Sequence, residues 1–223
     1  YGHAFVLLAA AEAVRAGLPA RDLLDDAFGV LEERFWLAAD GLYADEWTED
    51  WSVRSPYRGQ NANMHLTEAL LAAHAATGEA RFLDRADAVA RRVCLDLAGQ
   101  TGGLLWEHYD AAWRADLAYN RDRPDDMFRP WGVLAGHLLE WAKLLVLLGR
   151  ARPGGWAIPA AERFFAAATD RAGDDEFGGF LYSFGLDGRI VDDRKYHWVI
   201  AEAIGAAATL WLATGDDAYR GWY

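Results

Sequence analysis

Four stretches of the chain are apolar on nearly every face that a helix would present. They begin at His3, His65, His137 and His197, run through Ala/Leu-rich sequence and close on a short turn containing Gly. After each of the first three turns the pattern changes. Segments 20–35, 81–97 and 158–172 place apolar residues at helical spacing and charges on the opposite side, as in Phe82, Leu83, Ala86, Val89, Ala90 and Val93. A Gly-aromatic stretch follows each of these: Gly41-Leu42-Tyr43, Gly103-Leu104-Leu105-Trp106 and Gly179-Phe180-Leu181-Tyr182. Their alternation predicts short strands or hairpins. The repeating unit is therefore helix, turn, helix and strand-like loop, roughly 65 residues long.

A helix that is apolar all round is buried on every side, whereas an amphipathic one faces water. Inner buried helices and outer amphipathic helices, joined by hairpins, describe an all-α fold. A closed (α/α)6 barrel is favoured, with an α-solenoid as the alternative. Six such hairpins need about 390 residues. This chain supplies about three and a half, and residues from Gly215 onward read as the start of another outer helix. Residues 1–223, which begin in mid-helix pattern, are thus expected to form a single α/α-barrel domain, in part. No linker or composition break divides them.

Charge and composition remove several classes. There are 22 Lys and Arg against 34 Asp and Glu, a formal charge of −12, which disfavours nucleic acid and anionic lipid as partners. Cys94 is the only cysteine, so no disulfide framework exists and a cytoplasmic setting is expected. No apolar run reaches the roughly 20 residues that span a bilayer.

Candidate chemistry sits at the starts of the apolar helices. His65 and Glu68 are three residues apart, as are His137 and Glu140, and Trp198 and Glu202 are four apart. Each pair shares a helix face. A single His on an apolar helix is ordinarily a core or capping residue. Two such pairs at equivalent repeat positions point instead to one pocket, lined by His65, Glu68, His137, Glu140, His197, Trp198 and Glu202. Glu202 could alternatively pair with a Lys or Arg of the inner helices. His3, His74 and His108 carry no such signal. Two His and two Glu could ligate a metal, but the order is reversed from the di-iron motif, and no metal or cofactor is expected. There is no nucleophile elbow, Walker loop or dinucleotide fingerprint. Eleven Trp are many for this length, and aromatic faces on a polar rim suit carbohydrate. The loop from Glu46 through Trp51, with Arg54, Arg58 and Asn61, adds groups suited to hydroxyls or a carboxylate.

Three segments carry a resemblance. Asn61-Ala62-Asn63-Met64-His65-Leu66-Thr67-Glu68-Ala69, Arg129-Pro130-Trp131-Gly132 through Gly136-His137-Leu138-Leu139-Glu140-Trp141, and Lys195-Tyr196-His197-Trp198 through Glu202-Ala203 resemble the N-acylglucosamine 2-epimerase superfamily of sugar epimerases and isomerases. The resemblance covers almost the whole chain and implies an (α/α)6 barrel and cofactor-free proton transfer on a reducing sugar. It implies that His137 is a catalytic histidine assisted by Glu140. It also implies that His65, Asn61 and Trp198 bind the sugar and that Glu202 supports the pocket. A second catalytic His of the family falls beyond Tyr223, and a substrate-binding Arg before Tyr1. His197-Trp198 together with Glu140-Trp141 looks more like the aldose–ketose isomerase branch, the mannose and sulfoquinovose isomerases, than like the disaccharide epimerases. The expected activity is therefore isomerisation of mannose or a related hexose. His137, Glu140 and His65 are its catalytic residues, and Asn61, His197, Trp198, Glu202, Arg58 and Trp51 its substrate contacts. The protein is expected to act on a monosaccharide as a monomer or homodimer. The rivals are a sugar 2-epimerase, an (α/α)6 glycoside hydrolase and a non-enzymatic carbohydrate-binding repeat.

Overall fold

In the computed structural model, which describes residues 1–222, every one of the four apolar stretches is a helix. These are α1 (Gly2–Arg15), α3 (Gln60–Thr77), α5 (Ala135–Ala151) and α7 (His197–Thr214). The amphipathic segments form α2 (Arg21–Val30), α4 (Ala80–Arg91) and α6 (Ala157–Ala172). π-helical turns, Leu31–Phe35 and Arg92–Leu97, extend α2 and α4. Seven short strands occupy the loops: β1 (Trp36–Leu37), β2 (Leu42–Tyr43), β3 (Arg58–Gly59), β4 (His108–Tyr109), β5 (Val133–Leu134), β6 (Ser183–Phe184) and β7 (Ile190–Asp192). Among the described residues no helix is long and apolar enough to cross a membrane.

The chain divides into two compact units. The first comprises residues 1–97 with 108–115. In it α1 and α2 form one hairpin and α3 and α4 another, and α1 packs along α3. Strands β1 and β2 pair antiparallel, as do β3 and β4. The second comprises residues 98–107 with those from 116 onward. There α5 packs against both α6 and α7, beside the antiparallel sheet β5–β6–β7.

The buried core follows the pattern of apolar positions. The α4 residues Phe82, Leu83, Ala86, Val89 and Ala90 are all buried, and α5 is buried along almost its full length. The first and last apolar helices in the sequence depart from the expectation of burial on every side. In α7 only the stripe Val199, Ala203, Ala206, Ala207 and Leu210 is buried, whereas Ile204 and Leu212 are exposed. In α1, Phe5 and Val6 are exposed. Each of these helices packs its buried stripe against neighbours in its own unit, and its remaining apolar side chains face outward.

The strand-like stretches shift slightly. Gly41-Leu42-Tyr43 is β2 as expected. Gly103 through Trp106 pairs with no strand, because the preceding turn is closed by Gly103 N–H to Ala98 O at 2.8 Å and by Thr101 Oγ1 to Leu104 O at 2.7 Å. Pairing starts only at His108. Phe180 makes one bridge, to Gly173, and the strand itself begins at Ser183. Past Gly215, which ends α7 in the left-handed conformation at φ +73°, the chain forms a turn and a 3-10 turn, Arg220–Trp222, in place of an outer helix. The Trp222 ring stacks on Phe180 with centroids 5.6 Å apart.

One buried amide ties a hairpin to a helix start in the first unit. Asn63 Oδ1 accepts from Tyr43 N–H at 2.9 Å, and its Nδ2 donates to Tyr43 O at 3.0 Å and Gly59 O at 3.3 Å. The side chain thus pairs with β2 as another strand would. Replacing Asn63→Ala strands the Tyr43 amide and carbonyl in the core. The expected cost is about 1–3 kcal/mol of unfolding free energy, read from the urea midpoint.

Candidate active site

In the first unit the β3–β4 ladder, with Arg58 opposite Tyr109 and Gly59 opposite His108, delivers the chain to the start of α3. Gly59 N–H donates to Asp45 Oδ2 at 2.8 Å. A Cβ on Gly59 would lie 2.9 Å from Tyr57 Oη, so the close approach requires glycine there. Arg58 is 4% exposed. Its Nη1 donates to Ser55 O at 2.7 Å and Tyr57 O at 2.8 Å, and its guanidinium lies 6.0 Å from the Trp113 ring centre. Burial lowers its proton affinity, with Arg54 acting in the same direction. Arg58 Nε and Asn61 Oδ1 are both buried and have no hydrogen-bond partner. A hydroxyl can satisfy a donor or an acceptor of this kind.

His65 sits on α3 with Nδ1 3.4 Å from Glu68 Oε2, and the rings of Tyr1 and Phe5 approach it at 5.1 and 4.9 Å. This pair offers two donors of the four that a tetrahedral zinc site takes. Trp51 adopts φ +61°, packs edge-on against Phe35 at 5.7 Å, and lies 5.5 Å from the Arg34 guanidinium. His108 is a buried strand residue with Nδ1 2.9 Å from Tyr57 Oη.

In the second unit β5 runs directly into α5, so His137 is the third residue of the helix. His137 Nδ1 lies 2.9 Å from both carboxylate oxygens of Glu107. The two side chains are 10% and 5% exposed. Glu140, one turn on, is also buried. Burial by itself would lower the proton affinity of His137. The carboxylates of Glu107, Glu140 and Glu202 outweigh it, and the net shift is upward from the usual 6.5. Glu202, on α7, bonds to Lys143 Nζ of α5 at 2.5 Å. That is the pairing with an inner-helix cation that its position in the sequence allowed.

Trp198 stands beside His137 with ring centroids 5.7 Å apart, and Tyr182 meets it edge-on at 6.1 Å. Burial, with Glu107 and Tyr196 adding to it, pushes the Tyr182 phenol up to about 12, so it stays protonated near neutrality. His197, the first residue of α7, is exposed. The structure thus groups His137, Glu140, Glu202 and Trp198 in one unit, and Asn61, Arg58, His65 and Trp51 in the other.

This arrangement can move protons. A neutral imidazole carries one N–H and one lone pair, so the same ring is a base when neutral and an acid when charged.

The sequence compares with known proteins as this geometry suggests. The N-acylglucosamine 2-epimerase family model matches residues 1–223. The chain belongs to the N-acylglucosamine 2-epimerase family. It is 43% identical over 221 residues to a D-mannose isomerase of Marinomonas mediterranea, covering 98% of this chain and 56% of that protein. It is 45% identical over 227 residues to a D-mannose isomerase of Thermobifida fusca, covering 100% and 56%. A solved structure of D-mannose isomerase superposes with a TM-score of 0.98 at 43% identity, covering 100% of this chain and 57% of that one. The chain therefore spans about half the length of the relatives it matches. Its fold class is the helical-hairpin class of (α/α)6 barrels that the repeat indicated.

Three residues of this family member escaped the sequence reading. Glu107 follows a Gly-aromatic stretch and carried no motif, although a carboxylate inside the apolar run from Leu104 to Tyr109 is itself a signal of a buried partner. Asn63 lay in a recognised motif, but its three backbone bonds depend on where β2 folds back. Lys143 was not singled out, although a Lys or Arg of the inner helices was expected as a partner of Glu202.

Trp198 reaches its position because position 136 has no side chain. A Cβ on Gly136 would lie 2.3 Å from the Trp198 ring. Gly136→Ala is expected to force the indole away, at a cost of about 1–3 kcal/mol. A lower Tm with an altered near-UV tryptophan spectrum would show it.

Proposed function

We propose that this protein is a cofactor-independent aldose–ketose isomerase that interconverts mannose and fructose, with related hexoses such as sulfoquinovose as further candidates. The observation that carries the reading is the buried His137 imidazole, with Nδ1 fixed 2.9 Å from the Glu107 carboxylate. The identity to proteins named D-mannose isomerase supports it.

The chemistry balances without an external oxidant. After the sugar ring opens, the C2 proton passes to a neutral imidazole. The C2–H electron pair becomes the C1=C2 bond, and the C1 carbonyl pair moves to O1, giving an enediolate. Return of a proton to C1, with the O2 proton passing to O1, leaves the ketose, so C1 is reduced as C2 is oxidised. An imidazole whose ordinary value is near 6.5 suits both halves of this cycle. In this reading His137 carries the proton and Glu140 assists ring opening. His65, the third catalytic candidate, and Asn61, Arg58, Trp51, His197 and Trp198 hold the sugar. Glu202, neutralised by Lys143, supports Trp198 and His137. The reading further takes the protein to be cytoplasmic and to act as a monomer or homodimer.

The full-length protein is expected to form fructose from mannose. His137→Ala should lower kcat by about 10²–10⁴-fold while the far-UV spectrum stays helical. Formation of the C2 epimer alone would transfer the protein to the epimerases, and undiminished turnover by the variant would contradict the role of His137.

A further inference from the structure

We propose that Glu107 is the positioning residue of His137, holding Nδ1–H so that Nε2 is the nitrogen that exchanges the sugar's proton. The inference rests on the isomerase reading above and deepens it, because it assigns the working nitrogen and the group that selects it.

The geometry makes the case. Both Glu107 oxygens lie at the same distance, 2.9 Å, from one ring nitrogen, so the carboxylate addresses Nδ1 as a unit. An ionised carboxylate accepts and cannot donate. The proton between the pair therefore sits on Nδ1 in the neutral ring, and the lone pair on Nε2. A carboxylate this deeply buried is costly unless a hydrogen-bonded partner compensates it, and an apolar pair of the same volume would stabilise the core as well. The side chain thus adds a fixed tautomer that packing alone does not supply.

The surroundings fit the same role. Glu107 precedes β4, outside helix α5, so it constrains the ring from a different element than the one that bears it. Trp198 of α7 borders the ring at 5.7 Å and limits its rotation. The charged groups that face His137 include Glu107 from the loop, Glu140 from its own helix, and Glu202 from α7. Glu202 is bonded to Lys143. Tyr182, which senses the Glu107 charge, is a protonated phenol near neutrality. Glu107 is the carboxylate among these that bonds to Nδ1 at 2.9 Å, and its charge favours the imidazolium formed when the proton arrives. A Gln in its place presents an amide that can donate to Nδ1, which moves the ring proton to Nε2 and removes the base from the working position.

The test is made on the full-length protein with ¹⁵N-labelled histidine, assigning His137 by its loss in His137→Gln. Long-range proton–nitrogen correlation is expected to give the Nδ1–H tautomer in the wild type, with a titration midpoint above that of free imidazole. In Glu107→Gln the midpoint should fall, the Nε2–H form should appear, and kcat for mannose should drop about 10²–10⁴-fold with KM changed much less. Glu107→Asp, which keeps the charge on a shorter stem, should recover part of both the titration and the rate, and it carries the test if the Gln variant does not fold. An unchanged tautomer and midpoint in Glu107→Gln, or a kcat within about threefold of wild type, would overturn the inference. Failure of the isomerase reading looks different: His137→Ala would then keep its turnover, whatever the ring's tautomer.

Discussion

A buried carboxylate must have its charge met within the protein, and the second unit is organised around that demand. Glu107 is almost wholly removed from water, and the imidazole of His137 lies 2.9 Å from it. Either group alone in this position would be strongly destabilising, because desolvating one unpaired ion costs several kcal/mol. Together they form a polar centre in an apolar neighbourhood. Adjacent charges are settled in the same way. Lys143 neutralises Glu202, so that of the carboxylates around the ring, the one beside Nδ1 acts most directly on its proton.

Short strands and absent side chains set the positions of these groups. Strand β5 fixes the entry into α5, which places His137 in the first turn. Gly136 leaves the space that the Trp198 indole fills. In the first unit the corresponding devices are Gly59, where the chain passes within contact distance of Tyr57, and Asn63, whose amide pairs with the backbone of β2. The helices supply a rigid frame, and the two-residue strands β3 and β5 lead directly into α3 and α5. Since His65 and His137 both lie near helix starts, those strands govern the chemistry more directly than their length suggests.

Much of the frame was legible in the chain. All seven helices follow from the alternation of all-apolar and amphipathic segments, because burial of those faces is the dominant favourable term and has a fixed period. The pairing of Glu202 with an inner-helix cation was foreseeable for the same reason: a carboxylate on an apolar helix needs one. What the sequence did not disclose depends on pairing at a distance. Glu107 and His137 are thirty residues apart, and no spacing rule connects a loop carboxylate with a helix histidine. Asn63 and Tyr43 meet through a hairpin whose turn defines the contact. The strand expected at Gly103 starts later, at His108, because the Thr101 hydroxyl and the Ala98 carbonyl close a turn first. The exposed apolar side of α7 likewise depends on which neighbours stand beside it, a matter the pattern along one helix does not contain.

The central claim is that an imidazole held by Glu107 passes a solvent-exchangeable proton through an enediolate. The most direct measurement is to run the wild-type, full-length protein on mannose in D2O and follow the sugar by proton NMR. The account predicts fructose carrying deuterium at C1, with exchange at C2 of the remaining mannose, since the proton on the histidine equilibrates with solvent between its removal and its return. Fructose formed with complete retention of the original hydrogen would indicate direct hydride transfer and contradict the account.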